Sequence, residues 1–270
     1  MNAPAHSPAK APAGTRMNAA ARRMGSLGRA ELTLLGRNKN NLFIALLMPL
    51  LMILVLRSTL GQMSPDELPG GMAGTTLIGG TGMVLVLVVY MGLVSALVAR
   101  REELVLKRLR TGEATDLEIL GGAALPSAAI ALVQCVVLSV GGALVLDVPA
   151  PRRPDLLVLG LLAAILLLAG LAAATTAMTR NVESAGLTTL PFFLISAMGS
   201  GLMVPRDLLP DLVASLTQLL PFSGVMEFVR AGWLGVGDTK DLATAALTTL
   251  AWGVLTVFAV RKWFRWEPRR

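Results

Sequence analysis

Long apolar runs without charge, separated by short charged clusters, set the pattern of this chain. Residues 68–99 and 119–146 carry no formal charge over 32 and 28 positions. Each run exceeds the roughly 20 residues that a helix needs to cross a bilayer. The pattern predicts spans at about 42–60, 72–98, 116–146, 156–178, 186–204 and 242–260. From 19 to 39, basic residues alternate with Met24, Leu27, Leu32, Leu34 and Leu35, the pattern of a helix lying at the membrane surface. Residues 212–226 are uncharged over only 15 positions, too few for a comfortable crossing. A crossing there would also place the basic C-terminus on the wrong side. The expected fold is therefore all-α: a polytopic membrane protein with six transmembrane helices, an N-terminal interfacial helix and a re-entrant helical pair, broken at Pro221, before the last span.

The segment between the two longest runs, residues 100–118, must return to water. It holds Arg100, Arg101, Lys107, Arg108 and Arg110, which by the positive-inside rule places it in the cytoplasm. Val105, Leu106 and Leu109 can line one face of a short helix, and Glu103 precedes Lys107 by four residues, the favourable order for a surface pair. Such an island can dock a partner; the blander alternative is a solvated loop that only sets topology. Thr115 and Glu118 form a capping-box pattern that starts the third span. Pro126 is expected to kink that span or mark a short re-entrant turn, and Pro49 to bend the first. Gly79, Gly80, Gly82 and Gly92 permit close helix contact in the second span.

Counting charges supports this topology. Of 24 Lys and Arg residues, 18 fall on segments assigned to the cytoplasm, whereas acidic residues divide almost evenly. Both termini are expected inside the cytoplasmic membrane. Residues 1–18, rich in Pro and Ala without an apolar core, read as a disordered tail rather than a signal peptide. Residues 19–262 then form the transmembrane domain, and 263–270 a basic cytoplasmic tail with Trp263 and Trp266 at the interface.

Composition narrows the function classes. The chain is 54% hydrophobic and 15% charged, with a mean hydropathy of +0.67; soluble domains carry about 25% charged residues. The net charge of +7 is thus a membrane-flanking charge, not a nucleic-acid signal. The single histidine, His6, and single cysteine, Cys135, offer no metal cluster or intrachain disulfide. The stretch Gly235, Val236, Gly237, Asp238, Thr239, Lys240 lacks P-loop spacing. Any ATP used must be hydrolysed by another chain.

Four places together resemble the membrane permease of the ABC-2 type transporter family, over about residues 25–262. They are the interfacial helix leading through Arg37 and Lys39 to a span with central Pro49; the island read through Glu102, Leu109, Arg110 and Thr111 into Glu118, Ile119 and Leu120; Ser200 and Gly201 followed by Pro205, Pro210 and Pro221; and Phe228, Val229 and Arg230. The resemblance is nearest to the drug and antibiotic resistance exporters of actinobacteria. Leu104 and Val105 stand where many members carry Gly-Thr, and Gly112 where many carry Pro.

The resemblance implies two permease copies working with two nucleotide-binding ATPase subunits, which bring ATP and Mg; the chain itself needs no cofactor and performs no covalent chemistry. It implies ATPase coupling through Glu102, Glu103, Val105, Leu109 and Arg110, and a re-entrant gate at Gly201, Pro205, Pro210, Pro221 and Arg230. A substrate path is expected along Thr75, Thr76, Thr81, Ser95, Thr188, Thr189 and Ser196, although small polar residues also serve helix packing alone. Seven Phe, four Trp and one Tyr are few for stacking on sugars, which favours export of an amphipathic or lipid-like small molecule over a lipid-linked or polysaccharide substrate. An ATP-independent secondary transporter would be expected to carry intramembrane acids, and apart from Asp116 and Glu118 in the opening turn of the third span no Asp or Glu falls within an assigned span. A non-transporting membrane assembly or immunity subunit is a third class; it needs no ATPase. Membrane lipid is an expected partner and nucleic acid is not.

Overall fold

The computed structural model describes residues 71–112, 115–145, 148–202 and 210–267, with isolated helical positions at 33, 47, 51, 54, 55 and 58. The interfacial helix at 19–39, the first span with Pro49 and Arg57, and Pro205 otherwise lie outside the described residues. Among the described residues every element is helical, and five helices are long and apolar enough to cross a membrane. The protein is a multi-pass helical bundle.

The first described rod runs unbroken from Gly71 to Glu102. It consists of α1 (Gly71–Val84), a seven-residue π-helical segment (Leu85–Met91) and α2 (Gly92–Glu102). It extends four residues beyond the expected end at 98, so Arg100, Arg101 and Glu102 are helical. A six-residue helix, α3 (Val105–Arg110), and a turn lead to α4 (Asp116–Val145). The Thr115–Glu118 capping box forms as expected: Thr115 N donates to Glu118 Oε2 at 2.7 Å, and Glu118 N to Thr115 Oγ1 at 3.4 Å. Pro126 makes no re-entrant turn; α4 continues through it, with Gly121 and Gly122 one turn earlier. Transmembrane helices tolerate such a proline where neighbouring elements satisfy the backbone it frees.

Helix α5 (Pro154–Thr176) starts with proline at its first position, where the missing N–H costs nothing. Helix α6 (Val182–Gly199) lies several residues earlier than the expected 186–204. Its start is advanced by an Asn181–Ser184 capping box (Ser184 N to Asn181 Oδ1, 2.9 Å), and beyond its end Gly201 turns at φ +76°. Helices α7 (Asp211–Gln218) and α8 (Ser223–Leu234) are bent by 97° across the break holding Pro221. Helix α9 (Thr239–Trp263) is longer than the expected 242–260 at both ends; its earlier start is set by a capping box, Asp238 with Asp241.

The contacts define two ends of the bundle. The island end holds residues 100–116, the 176–181 turn and residues 263–267; the far end holds residues 148–154 and 232–239. At the far end, Arg153 N donates to Gly232 O at 2.9 Å and Arg152 N to Trp233 O at 3.3 Å, so α8 finishes where α5 begins. Its other terminus stops short of the island end. Trp252 Nε1 donates to Leu219 O at 2.8 Å, and Trp252 lies about 20 Å along α9 from Thr239 at 1.5 Å per residue. Helix α8 therefore reaches only about halfway down α9 before the chain turns sharply. This is the geometry of a re-entrant pair.

Helix α5 is the hub: it packs against α2, the π segment, α4, α6, α8 and α9, and most extensively against α8. In a bilayer, apolar side chains gain little by leaving lipid for protein, so close packing of small residues must hold helices together. At the α5–α8 contact, a Cβ on Gly160 would lie 2.9 Å from Phe228 Cβ and 3.0 Å from Val229 N, and one on Gly232 would lie 2.5 Å from Leu157 N. The π segment fills the centre of the bundle. Leu85, Val86, Val89 and Tyr90 are buried there, with the Tyr90 hydroxyl 3.0 Å from Thr175 Oγ1 and its ring 4.4 Å from that of Phe192. Most of the length of α9 presents Leu247, Leu250, Val254, Val257 and Phe258 outward, as a helix facing lipid must.

Because the atoms facing Gly232 are backbone, they cannot rotate away from an added methyl. Gly232→Ala is expected to destabilise by about 1–3 kcal/mol. Gly253→Ala meets nothing within 4 Å and is expected to be neutral or stabilising by up to ~1 kcal/mol. Apparent Tm in detergent micelles, compared for the two variants, checks this.

Candidate functional site

The island is not a loop. Helix α2 ends in a left-handed residue, Leu104 at φ 59° and ψ 15°, with Glu103 N bonded to Ala99 O at 3.0 Å and Leu104 N to Arg101 O at 3.2 Å. Glycine is the usual residue at this terminating position. Leu104 adopts it despite the Cβ clash and is the one non-glycine residue at positive φ among those described. Immediately after the reversal, Leu106 anchors α3 with 1% exposure, and Val105 and Leu109 are half-buried beside it. The apolar face expected from the sequence thus points into the protein and seats α3.

Glu102 and Glu103 are both exposed. The expected surface pair of Glu103 with Lys107 does not form, since Leu104 interrupts the helical register between them. Lys107 instead reaches Glu267 Oε1 at 2.9 Å. Arg110 Nε lies 3.3 Å from Asp116 Oδ1, and its guanidinium stands 4.9 Å from the Trp266 ring centre. The C-terminal segment therefore lies along the island and occupies two of its cations, leaving the two carboxylates facing outward. These ion pairs are more than half exposed and contribute about 0–1 kcal/mol each; they orient the segment more than they hold it.

Sequence reasoning counted Arg101 only as a topological charge. The structure buries it to 1% exposure. Its Nη1 donates to Thr176 O at 2.7 Å, and its Nη2 to Thr179 O at 2.6 Å and Arg180 O at 3.1 Å. These are carbonyls at and just beyond the C-terminus of α5, which lack helical partners and sit at the negative end of the helix dipole. A buried guanidinium costs several kcal/mol to desolvate unless geometry and hydrogen bonds offset it; three carbonyl contacts through Nη1 and Nη2 meet part of that cost. No sequence signal distinguishes Arg101 from Arg100 or Arg108, because its partners are backbone atoms some 75 residues away.

The expected gate residues collect only in part. Gly201 follows the end of α6, Pro210 caps α7 and Pro221 lies in the α7–α8 break, while Arg230 is half-buried further along α8. The end of α6 meets that break: Ser223 Oγ donates to Thr217 O at 2.6 Å and lies 3.3 Å from Ser200 Oγ. The expected path residues are not brought into one cluster. Thr75, Thr76 and Thr81 lie on α1, Ser95 on α2, and Thr188, Thr189 and Ser196 on α6. Thr75 and Thr81 donate to Gly71 O and Leu77 O, Ser95 to Met91 O, and Thr188 and Thr189 to Ser184 O and Ala185 O. Thr76, Thr81, Thr189 and Ser196 are buried. Among the described residues no group of three or more His, Cys, Asp or Glu side chains could hold a metal ion.

A helical bundle of long apolar helices, with a bent half-length pair at one end and a braced polar island at the other, defines a multi-pass membrane transporter subunit. The family model described as ABC-2 type transporter matches residues 23–234, and the chain belongs to that family. None of the curated proteins matches it. Membership makes this chain the permease part of an ABC-2 type transporter and implies an associated ATPase subunit.

Leu104 supplies a local test of this geometry. A left-handed non-glycine residue costs about 1–2 kcal/mol, and glycine's extra chain entropy costs roughly 0.5–1 kcal/mol. Leu104 is 46% exposed, so truncation sacrifices little burial. Leu104→Gly is expected to leave stability unchanged or raise it by up to ~1 kcal/mol, and β-branched Leu104→Val to lower it. Apparent Tm of the purified permease distinguishes the two.

Proposed function

We propose that this permease works as two copies with two ATPase subunits, and exports an amphipathic or lipid-like small molecule of the drug or antibiotic type across the cytoplasmic membrane. The observation that carries this reading is the exposed pair Glu102 and Glu103, held at a braced helix end while the neighbouring cations are occupied by the chain's own C-terminal segment. That face offers carboxylates to basic groups of an ATPase, and charge complementarity gives such an interface its specificity. Val105, Leu109 and Arg110 support the docking segment from behind. ATP and Mg enter through the ATPase, and its closure drives the permease.

Orientation follows from the 18 of 24 basic residues that the sequence assigns to cytoplasmic segments: the island and both termini are cytoplasmic, and the α7–α8 pair is external. The path is assigned to the boundary of α2 and the π segment with α6, where the Tyr90–Phe192 contact lies and along which α6 carries Thr188, Thr189 and Ser196, opening there when the ATPase acts; Thr75, Thr76 and Thr81 stand on α1. Gly201, Pro205, Pro210, Pro221 and Arg230 form its external gate. The low aromatic content favours a lipid-like cargo over sugar polymers.

Cysteine labelling in a Cys135→Ser background tests the orientation. Positions 110 and 265 are expected to be protected from an external impermeant maleimide, and positions 66, 208 and 236 to react with it; protection of 208 with labelling of 236 would make the bent pair a crossing. For the docking face, Glu102→Lys with Glu103→Lys is expected to leave the permease monodisperse yet abolish co-purification of its ATPase. Truncating one partner of a buried interfacial charge pair costs about 2–5 kcal/mol, and reversal adds repulsion. Retained ATPase binding with normal hydrolysis would return the island to a topological role.

A further inference from the structure

Topology requires basic residues at the membrane surface, where exposed Arg108 and Arg110 serve it. It does not require one with its guanidinium sunk among three backbone carbonyls. We infer that Arg101 is a positioning residue for energy coupling: it joins the docking island and the 176–181 turn into one rigid body, so that ATPase motion reaches α5 directly. This inference rests on the docking reading above.

The geometry supports it at each step. Arg101 immediately precedes Glu102 and Glu103 on the same helix end, so the docking carboxylates stand one and two residues from the anchored position. Its Nη1 and Nη2 hold the carbonyls of Thr176, Thr179 and Arg180 from a planar fork that fixes direction as well as distance. Thr179 is itself buried, and its hydroxyl is turned back to Thr175 O at 3.0 Å. The next residue but one, Asn181, caps α6. The anchored turn therefore begins α6 and ends α5, the hub that touches every other long helix except α1 directly. At its opposite end α5 is fused to α8 by the Arg153–Gly232 and Arg152–Trp233 backbone bonds and by the Gly160 and Gly232 contacts. A displacement delivered at Arg101 thus has a continuous packed route to the bent pair at the far end. Without that brace the island would be joined to the hub by side-chain packing alone, with no directional hydrogen bond to fix their relative orientation.

A purely structural cap would stabilise α5 without transmitting anything, and the experiment separates the two roles. The full permease is co-purified with its ATPase, in a Cys135→Ser background. Spin labels at Arg108→Cys and Met178→Cys, with unlabelled chain in excess so that each assembly carries one labelled copy, report the distance from island to turn. Maleimide reaction at Val236→Cys, in separate samples, reports the far end. With Arg101 present, the 108–178 distance is expected to be the same without nucleotide and after trapping with ATP and vanadate, while the reaction rate at 236 changes on trapping. Arg101→Met, which keeps the apolar stem, is expected to retain ATPase binding but to broaden the 108–178 distribution and at least halve the response at 236; Arg101→Lys recovers part of it. A 108–178 distance that changes on trapping in the Arg101 chain overturns the rigid-body role, whether or not the Met variant folds. An undiminished response at 236 in Arg101→Met overturns the coupling role. Failure of the ATPase to co-purify with the Arg101 chain would instead overturn the docking reading itself.

Discussion

Backbone polar groups inside an apolar slab have no water to bond, and each irregular point of this structure is built around satisfying them. The C-terminus of α5 leaves carbonyls that Arg101 gathers. The break between α7 and α8 leaves the Leu219 carbonyl, taken by Trp252, and the Thr217 carbonyl, taken by Ser223. The starts of α4, α6 and α9 are each closed by a reciprocal side-chain box. At each of these points a named side chain answers for the departure from a straight helix.

The same constraint makes the helix contacts depend on absence of side chain. Burial of apolar groups offers little net gain between helices in lipid, so shape complementarity has to supply what the hydrophobic effect supplies in water. Gly160 and Gly232 let α5 and α8 touch backbone to backbone, and Gly224 lets α8 sit a Cβ's width from the Ala245 carbonyl of α9. The re-entrant helix is thereby held on two sides by long helices, although its own length would not hold it in a bilayer.

This anchors one helix at both of its ends. Helix α5 is braced at the island by a charged fork and fused at the far end to the bent pair. The island above it is held by a buried leucine and an arginine, and two of its cations, Lys107 and Arg110, engage the C-terminal segment. A permease that must respond to an ATPase needs such a stiff element between the two, since a packed interface transmits displacement and a solvated loop absorbs it.

The sequence alone determined the membrane class, the order of the described spans, the Thr115–Glu118 start of α4 and the bent pair at Pro221, because charge-free length, capping pairs and proline are local signals. It placed Glu102 and Glu103 at a water-facing turn for the same reason. It could not show that the second span runs on to Glu102, that Asn181 starts α6 early, or that α4 continues unbroken past Pro126, since helix ends are decided by which competing bond the assembled bundle completes. Nor could it separate Arg101 from the other basic residues of its cluster, or join Lys107 to Glu267 in place of Glu103. Those choices depend on backbone carbonyls and side chains distant in sequence, and only the packing of α2 against the end of α5, and of the C-terminal segment against the island, brings them within reach.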